Sequence, residues 1–95
     1  MHLDIITPEA RVFSGEVEAV QLPGLDGSFQ VLNNHAPIIS GLAAGIVKVD
    51  LSMPFEADEK TDAHIQTGPD PKVIRVAIKG GVLEMLNNTI IVLAE

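Results

Sequence analysis

The groups in this chain best placed to do chemistry are three histidines, four serines and thirteen Asp and Glu side chains, because there is no cysteine. The missing thiol removes disulfide scaffolds, thiolate metal sites and thiol nucleophiles together. His2, His35 and His64 are widely separated, and none stands at metal-ligand spacing from a carboxylate. Each is therefore expected as a surface or turn histidine, with no metal. Ser14, Ser28, Ser40 and Ser52 lack the strained strand-to-helix turn that presents a serine nucleophile. The carboxylates crowd into one acidic stretch, where water keeps their pKa values ordinary, whereas general acid–base work needs burial or close pairing. Gly24-Leu25-Asp26-Gly27 and Lys79-Gly80-Gly81 open no helix, so they read as turns and not as phosphate cradles. The expectation is a protein with no catalytic residue, cofactor or metal, whose use is to be held by partners.

The elements carrying these side chains come from 95 residues, enough for a single domain over 1–95. At this size folding hides only about 60 to 65% of the extended chain's surface, so the core must be efficient. Hydrophobic residues make up 46% and the mean hydropathy is +0.30, but the only aromatics are three Phe. The core must be built from Val, Ile, Leu and Ala. Six Lys and Arg against thirteen Asp and Glu leave a net charge of −7. That balance excludes nucleic-acid binding, which needs cations for phosphates and often aromatic platforms for bases. It disfavours an anionic lipid surface on the same ground. The amino terminus has no cationic region followed by an apolar run, and no apolar stretch nears the roughly 18 to 20 residues that span a bilayer. A soluble cytosolic protein is expected.

Apolar residues recur with period two between Gly, Pro and Asn punctuation, which predicts an all-β fold. Leu3 and Ile5 alternate with His2 and Asp4. Arg11 to Gly15 reads as a short strand and turn, and from Glu16 to Leu22 the phase slips between Val17/Ala19 and Val20/Leu22, the signature of a bulge. Ser28 to Leu32 puts Phe29 and Val31 inward. Asn33 to Pro37 is a loop, Val47, Val49 and Leu51 face one way, and Ile74, Val76 and Ile78 do the same later. Asn87-Asn88 is a candidate two-residue hairpin turn, because Asn enters positive φ at low cost. The strands it joins, Val82 to Leu86 and Thr89 to Ala94, are apolar on both faces, so they lie between two layers or keep a face for a partner. About nine or ten short strands imply a flattened antiparallel β-sandwich or barrel. Residues 50 to 70 carry −5 of the charge, with Lys60 alone against six carboxylates. The stretch 51–72 is expected as a solvated insertion or hairpin arm with Met53 and Phe55 as anchors. A free-standing sandwich that binds a peptide or small ligand along an edge strand is the alternative use of such a fold. A small hydrolase has little support.

Several words of the sequence, in order, resemble the epsilon subunits of F-type ATP synthases. They are His2 to Glu9, Val12 to Val17, Asn34 to Leu42 with Gly45-Ile46-Val47, Gly80 to Met85, and Ile91 to Glu95. Together they cover nearly all of the chain outside 51–72. The resemblance implies a β-sandwich at the foot of the rotating central stalk, bound to the gamma subunit on one side and touching the membrane-embedded c ring below. Such a subunit catalyses nothing; it helps couple proton flow to ATP synthesis. It is peripheral to the bacterial inner membrane on the cytoplasmic side.

Carried over by position, the stretch from Gly27 to Pro37 implies c-ring contacts at Ser28, Asn33, Asn34 and His35. Ser28 stands where some members have a carboxylate, and Asn33-Asn34 where Pro-Gly is common. The candidates for contact with gamma are Ser40, Leu42, Met85 and Ile91, on strands whose apolar outer face needs cover. Many members continue into a two-helix hairpin that restrains ATP hydrolysis and in some cases binds ATP. This sequence stops at Glu95, so neither property is expected of it. Adding ATP should leave the thermal midpoint unchanged, and a saturable rise in a melting experiment would contradict the expectation.

Overall fold

Alternating Val, Ile and Leu can be hidden only if two sheets face each other, and the chain achieves this with nine strands. The computed structural model describes all residues from Met1 to Glu95. The strands are β1 (His2–Ile6), β2 (Arg11–Gly24), β3 (Gly27–Leu32), β4 (Ile38–Leu42), β5 (Gly45–Leu51), β6 (Ile65–Thr67), β7 (Val73–Ile78), β8 (Gly81–Leu86) and β9 (Thr89–Ala94). They are hydrogen-bonded in the order β1-β9-β8-β4-β2-β5-β7-β6, with β3 and β1 also paired to β2. One layer is therefore β2-β1-β9-β8-β4, and the other is β3-β2-β5-β7-β6.

The long strand β2 belongs to both layers. Its residues Arg11 to Glu16 pair with β1, Val17 to Gln21 with β5, and Ala19 to Gly24 with β3. No turn interrupts it at Ser14-Gly15, contrary to expectation, because Ser14 and Gly15 pair with Asp4 and Leu3 on β1; the glycine there leaves room for the Phe13 ring. The expected phase slip is present: the register against β5 shifts between Val17 and Ala19. Glu18 bulges outward, so Val17, Ala19, Val20 and Leu22 are all buried. The sheet is mixed and not wholly antiparallel, since β1 and β9 run parallel. No hairpin joins these first and last strands, so nothing forces them to run opposite ways.

A cluster of 20 buried residues from both layers forms the core, with Leu3, Leu22, Val31, Val49, Ile74, Leu83 and Ile90 fully enclosed. Complete burial of each such side chain contributes about 1.5–3 kcal/mol. Between β5 and β7 the acidic stretch forms an arm that ends in the short strand β6, paired to β7. Phe55 and Ile65 pack against the core, while Met53 is 75% exposed and anchors nothing. Three of the arm's aspartates build its turns. Asp58, Asp62 and Asp70 each accept a hydrogen bond from the backbone N–H two residues on, at 2.8, 2.8 and 2.9 Å.

The turn at Asn87-Asn88 has both residues at positive φ, 52° and 57°, as the hairpin requires. Gly80 and Gly81 bring the chain from β7 into β8 at φ 138° and 150°. A Cβ on Gly81 would meet the Leu93 carbonyl oxygen. Replacing Gly81 with Ala should therefore destabilise the fold by about 2–3 kcal/mol or more, read as a lowered midpoint in chemical denaturation.

Candidate functional site

The hairpin register decides which side chains of β8 and β9 face out. Glu84 pairs with Ile91 on β9 and with Ile39 on β4, while Val82 pairs with Leu93. These residues and Leu86 form one outer face of the β1-β9-β8-β4 layer. Ile39 is 76% exposed, Leu93 54%, Leu86 50% and Val82 46%. So many exposed aliphatic side chains on one flat face are unusual for a surface meant only for water.

Two shallow grooves cross this face. One, of about 470 Å³, is lined by Pro37, Ile38, Ile39, Glu84, Met85 and Leu86. The other, of about 130 Å³, is lined by Val82, Glu84, Ile91 and Leu93. Glu84 stands between them. A third groove, of about 530 Å³, runs between the Gly24–Phe29 turn region and Ile38–Gly41, and brings Ser28 together with Ser40.

Of the side chains expected to meet a partner here, Ile91 faces outward. Leu42 and Met85 do not: they are 4% and 1% exposed and lie in the core. Ser40 shares their inward phase, paired with buried Leu83, and is half-buried with its hydroxyl donating to the Gly41 carbonyl at 3.2 Å. On these strands the expectation placed Leu42 and Met85 on the outer phase, and the structure places them on the inner one. A signal for the phase was available in Glu84, because a carboxylate on a strand apolar on both sides marks the face that meets water. Its neighbours two residues away, Val82 and Leu86, and its cross-strand partners then follow.

The polar candidates fall in two places. Asn33, Asn34 and His35 form an exposed turn beside Asn87-Asn88, where the Asn34 N–H donates to Asn88 Oδ1 at 2.8 Å. Asn33 Nδ2 donates to Glu18 Oε2 at 3.0 Å, and His35 Nδ1 lies 2.7 Å from the Ala36 carbonyl. Ser28 sits at the opposite end of β3, about 13 Å away along the strand.

Folding also pairs two histidines with carboxylates, which spacing did not predict. His2 lies at the edge of the apolar face with Nδ1 2.8 Å from Glu16 Oε2 and Nε2 3.4 Å from Asp4 Oδ2. The bond to Glu16, reinforced by Asp4, raises its pKa above 6.5. The Ser14 hydroxyl, with His2 and Arg11 behind it, lowers that of Asp4. His64 Nδ1 is 2.7 Å from Asp62 Oδ1, and the backbone N–H of His64 holds the Asp62 carboxyl below its ordinary value.

All 95 residues match the family described as the ATP synthase, Delta/Epsilon chain, beta-sandwich domain. The chain belongs to this family. Among its relatives is the ATP synthase epsilon chain of Chlorobium limicola, 39% identical over 93 residues that cover 98% of this chain and 86% of that one. The epsilon chain of Desulforamulus reducens is 38% identical over 93 residues, but this chain spans only 57% of its length. The fold is shared with a chain in the central stalk and c-ring structure of the Tetrahymena thermophila mitochondrial ATP synthase, at a TM-score of 0.69 and 14% identity over 99% of this chain and 62% of that one. A chain of the Euglena gracilis mitochondrial ATP synthase matches at 0.73 and 18% identity, over 97% of this chain and 48% of that one.

In this epsilon-type sandwich the His2 cluster joins β1 to β2, so its titration is tied to stability. The folded pKa of His2 is raised, so its contribution is complete below about pH 6.5 and is lost as pH rises through the folded value. Asp4 acts oppositely, contributing above about pH 3.8 and losing that contribution as pH falls below it. Because the His2 side chain is 37% exposed, solvent screens much of the effect. Thermal melts should show a decline of about 1–3 °C between roughly pH 6 and 8 that disappears in His2→Gln.

Proposed function

We propose that this chain is a non-catalytic subunit of the central stalk of an F-type ATP synthase, linking the gamma subunit to the c ring and helping couple proton flow to ATP synthesis. The observation that carries this reading is the continuous apolar outer face of β4, β8 and β9 on a sandwich of the epsilon family. Covering several large aliphatic side chains gives a partner a hydrophobic contact without any rearrangement of the core. The gamma subunit is assigned to this face, through Ile39, Val82, Leu86, Ile91 and Leu93, with Ser40 contributing only from the inner phase of β4. Leu42 and Met85 support it from beneath.

The Asn33-Asn34-His35 turn is assigned to the polar loops of the c ring. It offers amide and imidazole groups on an exposed turn held to the Asn87-Asn88 hairpin, and so presents them on a firm base. Ser28 is assigned to the same contact from the far end of β3. No helix in the structure is long and apolar enough to cross a membrane. Association with the cytoplasmic side of the bacterial inner membrane is therefore assigned to the partners, with no lipid insertion by this chain.

Purification from cells should bring gamma and the c ring out with this chain; a free-standing binding module would come out alone. Replacing Ser28 and His35 together with Ala should weaken the coupling of proton flow to ATP synthesis in membrane vesicles while leaving the melting temperature in place. Unaltered coupling would remove these positions from the ring contact.

A further inference from the structure

Glu84 is a charge in the wrong surroundings. It lies between Ile39 and Ile91 across the sheet and between Val82 and Leu86 along its own strand, and it forms part of both apolar grooves. It has no ion-pair partner within the chain, whose salt bridges involve only Asp4, Glu16 and Asp62 among the carboxylates. The titratable neighbour across β9 is another acid, Asp4, opposite Ile91 on β1. His2 and Arg11 already face that acid, at 3.4 and 4.0 Å. Lys48 and Arg75 belong to β5 and β7 of the other layer. In the free protein water hydrates Glu84 and the arrangement costs little.

That changes once a partner covers the face. Apolar atoms laid over Ile39, Leu86 and Ile91 would strip Glu84 of water, and a buried carboxylate without a counter-charge is strongly unfavourable. A neutral hydrogen-bond donor would leave the charge uncompensated. A lysine or arginine supplies the charge, and its aliphatic stem can lie along Val82 or Leu86 while its head reaches the carboxylate. Resting on the assignment of this face to the gamma subunit, we infer that gamma presents a Lys or Arg side chain to Glu84 within an otherwise apolar contact. Glu84 is thus the specificity-determining position of the face: the aliphatic residues provide area, and the carboxylate fixes which partner surface and which register fit.

The test is binding of the isolated gamma subunit to the full chain by calorimetry, at low and high salt. Glu84→Gln keeps the shape of an exposed side chain and removes the charge, and Ile39→Asp, at an equally exposed position, disrupts the apolar area. The expected result is that Glu84→Gln weakens binding about 30-fold or more, that Glu84→Lys weakens it further, and that the salt dependence seen with the native chain is reduced in Glu84→Gln. If Ile39→Asp weakens binding but Glu84→Gln stays within about twofold of native, the counter-cation is overturned and the docking face stands. If Ile39→Asp also binds as the native chain does, the face itself is misassigned and this inference falls with it.

Discussion

One strand has to serve two sheets, and the rest of the molecule is arranged around how it does so. β2 is 14 residues long; its first half is a member of the β1-β9-β8-β4 layer and its second half of the β3-β5-β7-β6 layer. A regular strand alternates sides, so a continuous β2 would turn either Val17 or Val20 and Leu22 to water as the chain passed between layers. The bulge at Glu18 adds the one residue that restores burial on both halves. The two layers are thereby held over a single core, and the outer faces are set as well: whatever is not inward on one phase must be outward.

The two outer faces differ in character. Across the β3-β2-β5-β7-β6 layer the register aligns Gln21, Lys48, Arg75 and Gln66, a polar row that water accommodates and that separates the exposed Leu32 and Ile46. Lys48 and Arg75 are direct cross-strand partners with like charge, an arrangement that costs a few tenths of a kcal/mol and gives no reason for an apolar partner to approach. The opposite face carries Ile39, Val82, Leu86, Ile91 and Leu93 around Glu84, with Asp4 beyond Ile91 at its edge.

Much of the fold was legible from residue types. Period-two alternation located most of the strands, the slip from Val17/Ala19 to Val20/Leu22 located the bulge, and the Asn pair located the last hairpin. Misreadings came where alternation gives no phase. On β8 and on β4, where Ile38 and Ile39 point opposite ways, both sides are apolar, so Met85 and Leu42 passed for surface residues although the core claims them. In the acidic arm, Met53 and Phe55 looked equivalent as anchors. The backbone N–H of Phe55, bonded to the Pro71 carbonyl at 2.7 Å, holds it over the core, and Met53 points to solvent. The arm's acidity has a local use as well, since three of its aspartates close turns.

The chain's own order of residues determined the class of fold, the places where it turns, the aliphatic character of the core and the absence of thiol chemistry. These follow from short-range physics: side-chain alternation, the φ values open to Gly and Asn, and composition. Tertiary structure alone decided that β1 and β9 run parallel, that His2 meets Glu16 and Asp4, that Ser28 stands apart from Asn33 to His35, and that Glu84 is ringed by Ile39, Ile91, Val82 and Leu86. Each of these depends on which strands become neighbours and in what register, and residues tens of positions apart acquire a common environment only when the whole sheet has closed.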